Sequence, residues 1–227
     1  MKLLLLSCVL TLSACREEAP KHSPLDSGNT SQEVDRVEAF SPENQSKWTS
    51  EGFAIAGSEE WDGSTLSLPV GADLVGVRWT GELPEIPYVI RYEARRIDGV
   101  DFFGALTFPV RSSGECLTWI PGGWGGGVAG LSSINDKDAS ENESTQYRGF
   151  NDEQWYQFEL EVRKASLVVR IDGVPHQFTL NGEKLDALPL DGLKLGLRPG
   201  PIEACSPLGV AGWQGTCEVR KMGWESL

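Results

Sequence analysis

Histidine is nearly missing from this chain: two occur in 227 residues, His22 and His176. A serine or cysteine nucleophile paired with a histidine base would depend on His176 alone, and a histidine-rich metal centre is excluded. His176, beside Pro175, reads more simply as a surface strand residue. No Cys-x-x-Cys pair occurs, which argues against structural zinc, and no glycine loop has nucleotide-binding spacing. Positive charge is scarce: 20 Lys and Arg stand against 33 Asp and Glu, a formal net charge of −13. Such a surface disfavours nucleic acid and anionic lipid headgroups as partners. Long apolar runs are absent too. The longest, Leu3 to Leu12, is shorter than the roughly 20 residues a membrane-crossing helix needs.

That short run follows Lys2 and ends in Leu12-Ser13-Ala14-Cys15. A charged start, a brief apolar stretch and small residues describe an export signal. The tetrapeptide resembles the lipobox of bacterial lipoproteins. The resemblance implies removal of residues 1–14, lipid on the Cys15 sulfur and a cell-envelope location, on the outer membrane or periplasmic face. The membrane is then a partner through the anchor, since two acyl chains hold stably where one does not. Residues 15–38 are polar, with Pro20, Pro24 and Gly28, and form the expected tether; residues 39–227 form the expected domain. With Cys8 lost and Cys15 lipidated, Cys116, Cys205 and Cys217 remain. An exported chain tolerates a disulfide, and Cys205–Cys217 is the expected pair.

Inside the domain the hydrophobic period is two. Tyr88, Ile90, Tyr92 and Ala94 fall on one face with Arg91, Glu93 and Arg95 opposite; Tyr156, Phe158, Leu160 and Val162 alternate in the same way. Further strand-like runs are 74–79, 102–110, 116–120, 167–171, 176–180, 193–198 and 216–220, while 32–40 could hold a short helix. Asp98-Gly99, Asp172-Gly173, Asn181-Gly182 and Asp191-Gly192 are turn signals that tolerate positive φ. Many short strands with regular turns predict an all-β sandwich or barrel.

The chemistry must then rest on carboxylates, aromatics or a hard cation. Glu33-Val34-Asp35-Arg36-Val37-Glu38 matches the Glu-x-Asp-x-x-Glu pattern of sandwich-fold glucanases, but it precedes every strand, where no frame could hold two carboxyls about 5 Å apart. The segment Trp119 to Leu131 packs glycines around Trp124. Glycine lets the backbone approach closely or take positive φ. Trp124 is either an exposed platform for a sugar ring or an indole folded back on the sandwich edge. Asp136, Asp138, Glu141 and Glu143 form either a calcium loop of unfamiliar spacing or a solvated acidic loop. Arg91, Glu93 and Arg95 face water or a polar cleft: a central strand would put them in a concave sugar site, an edge strand on ordinary surface.

Several segments together resemble a known family: Tyr88 through Arg96, Asp101-Phe102-Phe103, Gly122-Gly123-Trp124-Gly125-Gly126 through Ser132, Ala139-Ser140-Glu141-Asn142, Trp155-Tyr156 and Leu208 through Trp213. The order is similar to that of the concanavalin A-like jelly-roll domains of the 3-keto-disaccharide hydrolase type. The resemblance implies a two-sheet jelly-roll sandwich and a carbohydrate partner, with hydrolysis of 3-keto-glycosides as one role and non-catalytic glycan binding or an envelope scaffold as others. In the enzymatic case Glu93 and Asp101 are the acid/base candidates, and Arg91, Arg95, Trp124, Glu141 and Asn142 are the substrate-binding candidates. Glu93 between two arginines is expected to have a depressed pKa, which counts against its acting as the acid.

Overall fold

A computed structural model describes residues 36–50, 53, 59–111 and 114–227. The signal segment, Cys15, His22 and most of the tether lie outside the described residues, as do Glu33 and Asp35. Among the described residues no helix is long and apolar enough to cross a membrane.

Two large antiparallel sheets face each other. The nine-stranded sheet runs Val174–Pro175, Ser166–Ile171, Tyr156–Val162, Tyr88–Asp98, Thr216–Ser226, Thr65–Leu68, Glu60–Asp62. Arg36–Val37 joins it against Thr216–Ser226, and Leu188–Pro189 joins it against Ser166–Ile171. The seven-stranded sheet runs Gln146–Tyr147, Val128–Ser132, Cys116–Gly122, Ala105–Pro109, Gly209–Trp213, Leu74–Trp79, Trp48–Thr49. This is the two-sheet jelly-roll architecture expected of the period-two pattern.

The inward faces are those the alternation marks. Tyr88, Ile90, Tyr92 and Ala94 are buried, with Phe158 stacked on Tyr92 at 5.1 Å between ring centroids. From the other sheet come Val75, Val77, Leu106, Phe108, Leu117, Trp119, Leu131 and Val210. Each such side chain removed from water stabilises the fold by about 1.5–3 kcal/mol, which is why the alternation decides which face points in. Buried tyrosines keep a partner for their polar end: Tyr92 Oη donates to the Gly104 carbonyl at 2.9 Å. Two turn signals close hairpins with both central residues at positive φ, Asp172 and Gly173 at 53° and 78°, Asn181 and Gly182 at 52° and 84°.

Four expectations need correction. Arg36–Val37 is a strand paired with Glu225 and Trp224, not part of a helix. In the 193–198 run only Leu195 makes a bridge, to Ile134, before Pro199 and Gly200 end any pairing. His176 is not on the surface: it is 1% exposed, edge-on to Trp119 and Phe178. Finally, Cys205 and Cys217 are not joined. Both are free and buried, as is Cys116. Cys217 belongs to the core between the sheets, whereas Cys205 belongs to a cluster with Leu74 and Ala211 on the far side of the seven-stranded sheet. The Gly209–Trp213 strand lies between them. A side chain on Gly212 would strike the Cys217 sulfur, and one on Gly209 would strike Cys205, so each cysteine meets the strand from its own side.

Candidate functional site

Strand parity assigns the outer face of the seven-stranded sheet to Ile120 and Thr118, Gly130 and Ser132, Thr107, Ala211 and Trp213, and Leu74 and Gly76, paired across the strands. Most of this face is covered. The turn Pro201–Cys205 lies on Gly209, where the absent side chain lets the Cys205 backbone approach. The 139–144 segment lies on Gly130 in the same way, with Ala139 and Ser144 fully buried. Thr107 and Thr118, both fully buried, satisfy each other through a hydroxyl contact of 2.8 Å.

What stays open is a cleft of about 440 Å³ between the glycine segment and residues 198–202. Leu74, Ile120, Phe102, Ile202 and Trp213 give it apolar walls, and Ser132, Asp101, Asp138 and Arg198 supply polar groups. Asp138 accepts from Arg198 Nη1 at 2.7 Å and from Ser132 Oγ at 3.2 Å. Trp124 also lines the cleft and is 46% exposed.

The local backbone explains that exposure. Gly122, Gly125 and Gly126 have φ of 77°, 77° and 88°, and Trp124 itself sits at φ 53°, ψ 54°. A bulky residue in the left-handed region costs roughly 1–3 kcal/mol and persists only where its surroundings hold it. Asp101 is the clamp: Oδ1 accepts from the Phe102 amide at 2.8 Å and Oδ2 from the Gly125 amide at 3.0 Å. Asp101 thereby fixes the loop that presents the indole.

The other candidates are placed elsewhere. Arg91, Glu93 and Arg95 lie on a central strand, as one alternative required, yet on the outer face of the opposite, nine-stranded sheet, and do not line the cleft. Arg91 binds Glu159 and Glu225, each at 2.6 Å. Arg95 binds Glu218 at 2.7 Å and lies 4.7 Å from the Trp155 ring. Glu93 accepts from Arg220 at 2.7 Å and Lys221 at 2.8 Å. Partial burial pulls the Glu93 carboxyl upward, but hydrogen bonds and charge from Lys221 and Arg220 outweigh it and hold the pKa below its ordinary value. The expected depression is present, caused by cations from the neighbouring strand rather than by Arg91 and Arg95. Held this way, the Glu93 carboxyl favours its charged form, which weakens it as a proton donor.

Asn142 is an internal fastener. Its Nδ2 donates to the Leu131 and Lys137 carbonyls at 2.7 and 3.0 Å, and its Oδ1 accepts from the Ser144 amide at 2.8 Å. Glu141 is exposed and does not line the cleft. The acidic run divides among separate partners: Asp136 with Lys194, Asp138 with Arg198, Glu143 with Asn135. Among the described residues no three carboxylate, histidine or cysteine groups converge as a cation would require. Sequence reasoning missed Ser132, Arg198, Phe102 and Trp213 as site residues. Phe102, Ser132 and Trp213 stand in the quoted pattern without a role, and nothing in the spacing brings Arg198 to Asp138, 60 positions earlier.

No protein-family model matches the chain, and no curated protein matches it by sequence. Solved structures do match in fold. A Crh5 transglycosylase in its apo form aligns over 84% of this chain and 82% of its own at 9% identity, TM-score 0.53. The exoplasmic/lumenal domain of VIP36, bound to Ca2+ and Man3GlcNAc, aligns over 83% and 89% at 11% identity, TM-score 0.50. A native glycosidic hydrolase aligns over 84% and 94% at 10% identity, TM-score 0.50. The chain shares with them the two-sheet jelly-roll fold.

Proposed function

We propose that this domain binds a carbohydrate in the cleft beside Trp124, without cleaving it. The observation that carries the reading is the half-exposed indole, held in an unfavourable backbone conformation by Asp101 at the mouth of an apolar-walled cleft. Pyranose rings have one apolar face that stacks on an aromatic ring, and hydroxyls that exchange hydrogen bonds with a few fixed polar groups, here Asp138 as acceptor, Arg198 as donor and Ser132 as either. The shared fold with glycan-handling proteins is consistent with this.

Hydrolysis of 3-keto-glycosides is the second reading, and the observation favouring it is that two carboxylates, Asp101 and Asp138, line one cleft. Against it, Asp138 is ion-paired and both Asp101 oxygens accept backbone amides, so neither stands free to pass a proton. Calorimetry and a glycan array with the whole chain separate the two: binding lost in Trp124→Ala with no product by chromatography supports a binding domain. Turnover of a 3-keto-disaccharide abolished by Asp101→Asn would overturn it. We place the domain at the cell envelope, lipid-anchored through Cys15; fatty-acid labelling that survives Cys15→Ser would remove that placement.

A further inference from the structure

Tyr147 is 87% exposed, more than any other large apolar or aromatic side chain among the described residues. Single exposed aromatics are ordinary on protein surfaces, so its position must make the case. It lies on Gln146–Tyr147, the edge strand of the seven-stranded sheet, with Gln146 opposite Ala129 and Tyr147 opposite Val128. Ala129 is core, so the parity of the pair puts Tyr147 on the outer face. Val128 is bridged in turn to Gly123. A side chain on Gly123 would point at Ile120 and Asp101, which line the cleft. Gly123, Val128 and Tyr147 therefore form one row across three chain segments on the face that holds the cleft, and Trp124 follows Gly123 directly. Two inter-strand steps span about 10 Å.

We infer that Tyr147 is a second stacking platform, and that the ligand is a neutral polysaccharide chain laid from the cleft over Trp124 to Tyr147 and off the sheet edge. This rests on the cleft reading and extends it: one platform suits a single sugar, whereas two on one face separated by more than a ring's width suit a chain. Neutrality follows from charge. The protein carries −13 overall, and among the described residues no ion pair engages the Asp101 carboxylate at the cleft, so a polyanion is disfavoured at this face. Arg148, next to Tyr147, has its guanidinium over the Phe150 ring at 5.5 Å.

The test is calorimetry on the full chain with manno-, gluco- and chito-oligosaccharides, from disaccharide to hexasaccharide, and with a polyuronate. Tyr147→Ala is expected to leave the shortest binder of the responding series unchanged and to weaken the hexasaccharide about tenfold, with Tyr147→Phe restoring it. Trp124→Ala is expected to abolish binding at every length. If Trp124→Ala abolishes binding while Tyr147→Ala has no effect or weakens all lengths equally, the second platform is overturned and the cleft reading stands. Wild-type binding in Trp124→Ala, or no binding of any series by the native chain, overturns both. Tighter binding of the polyuronate overturns the neutral ligand.

Discussion

On the outer face of the nine-stranded sheet, Arg91, Arg95, Arg170 and Arg220 interlock with Glu93, Glu159, Glu218 and Glu225 at 2.5–2.7 Å, and every one of these charges meets an opposite one from a neighbouring strand. On the outer face of the seven-stranded sheet the described residues form no such ladder: Thr107, Thr118 and Ala211 are fully buried beneath chain segments, and the cleft and the edge residue Tyr147 stay open to solvent. The first face is polar but chemically occupied. The second is mostly closed but ends in aromatic and polar groups with spare surface. A row of charged residues is therefore a poor guide to a binding face when strands on both sides supply the counter-charges. The contrast also predicts that the two faces fail differently, and the experiments below probe it in decreasing order of effect.

Acid should loosen the seven-stranded side first. The segment covering Gly130 is pinned where His176 Nε2 donates to the Ser144 carbonyl at 2.7 Å, which leaves Nδ1 buried and unpartnered. Burial lowers the His176 pKa to about 4. A histidine whose folded pKa lies below its unfolded value, about 6.5, contributes full stability above 6.5 and loses it as pH falls towards 4; the loss approaches about 3 kcal/mol. Urea unfolding of the wild type and of His176→Gln across that window is expected to converge at low pH. Parallel curves would show that His176 is not the acid-sensitive element. The Glu93 and Glu161 carboxyls, both held below their ordinary values by their cation partners, stay charged through the upper part of that window.

Next in size is the seat of the covering turn. A Cβ on Gly209 would lie 2.6 Å from the Cys205 carbonyl oxygen and 2.8 Å from its Cα, both backbone atoms that cannot swing aside. Gly209→Ala is expected to cost about 2 kcal/mol in urea unfolding, as overpacked sites do. It should also speed reaction of Cys205 with a thiol reagent, because the turn must lift; an unchanged labelling rate would mean the turn is not seated as described.

The sheets and their inner faces were legible in the chain because period-two burial is local information: Tyr88 to Ala94 and Tyr156 to Val162 announce which side points in without reference to any partner. The site was legible only in part. Glycines around Trp124 mark a loop that can present an indole, and Asp101, a candidate from the sequence, lines the cleft and clamps that loop. Arg91, Glu93 and Arg95 share a face, but it is the face of the sheet away from the cleft, because parity says which residues share a side and not which of two sheets that side belongs to. The Asp138–Arg198 pair and the split between Cys205 and Cys217 depend on where loops from distant positions settle, which no local pattern encodes.

The smallest effect is expected where the sequence placed most weight. Glu93→Gln keeps the side-chain volume and removes one charge from a partly exposed ion pair, an interaction worth about 0.2–1 kcal/mol. Its contribution has the sign of a depressed carboxylate: present above the unfolded pKa, lost as pH falls through the folded one. A double-mutant cycle with Arg220→Gln at neutral pH should therefore return a coupling below about 1 kcal/mol that shrinks further in high salt. Because Glu93 lies on the ladder and not in the cleft, the same variant should bind glycans as the wild type does, while Trp124→Ala loses binding and unfolds at the wild-type urea midpoint. Glycan binding lost in Glu93→Gln, with the stability intact, would mean that the occupied face is the working one and that the contrast between the two sheets has been drawn the wrong way round.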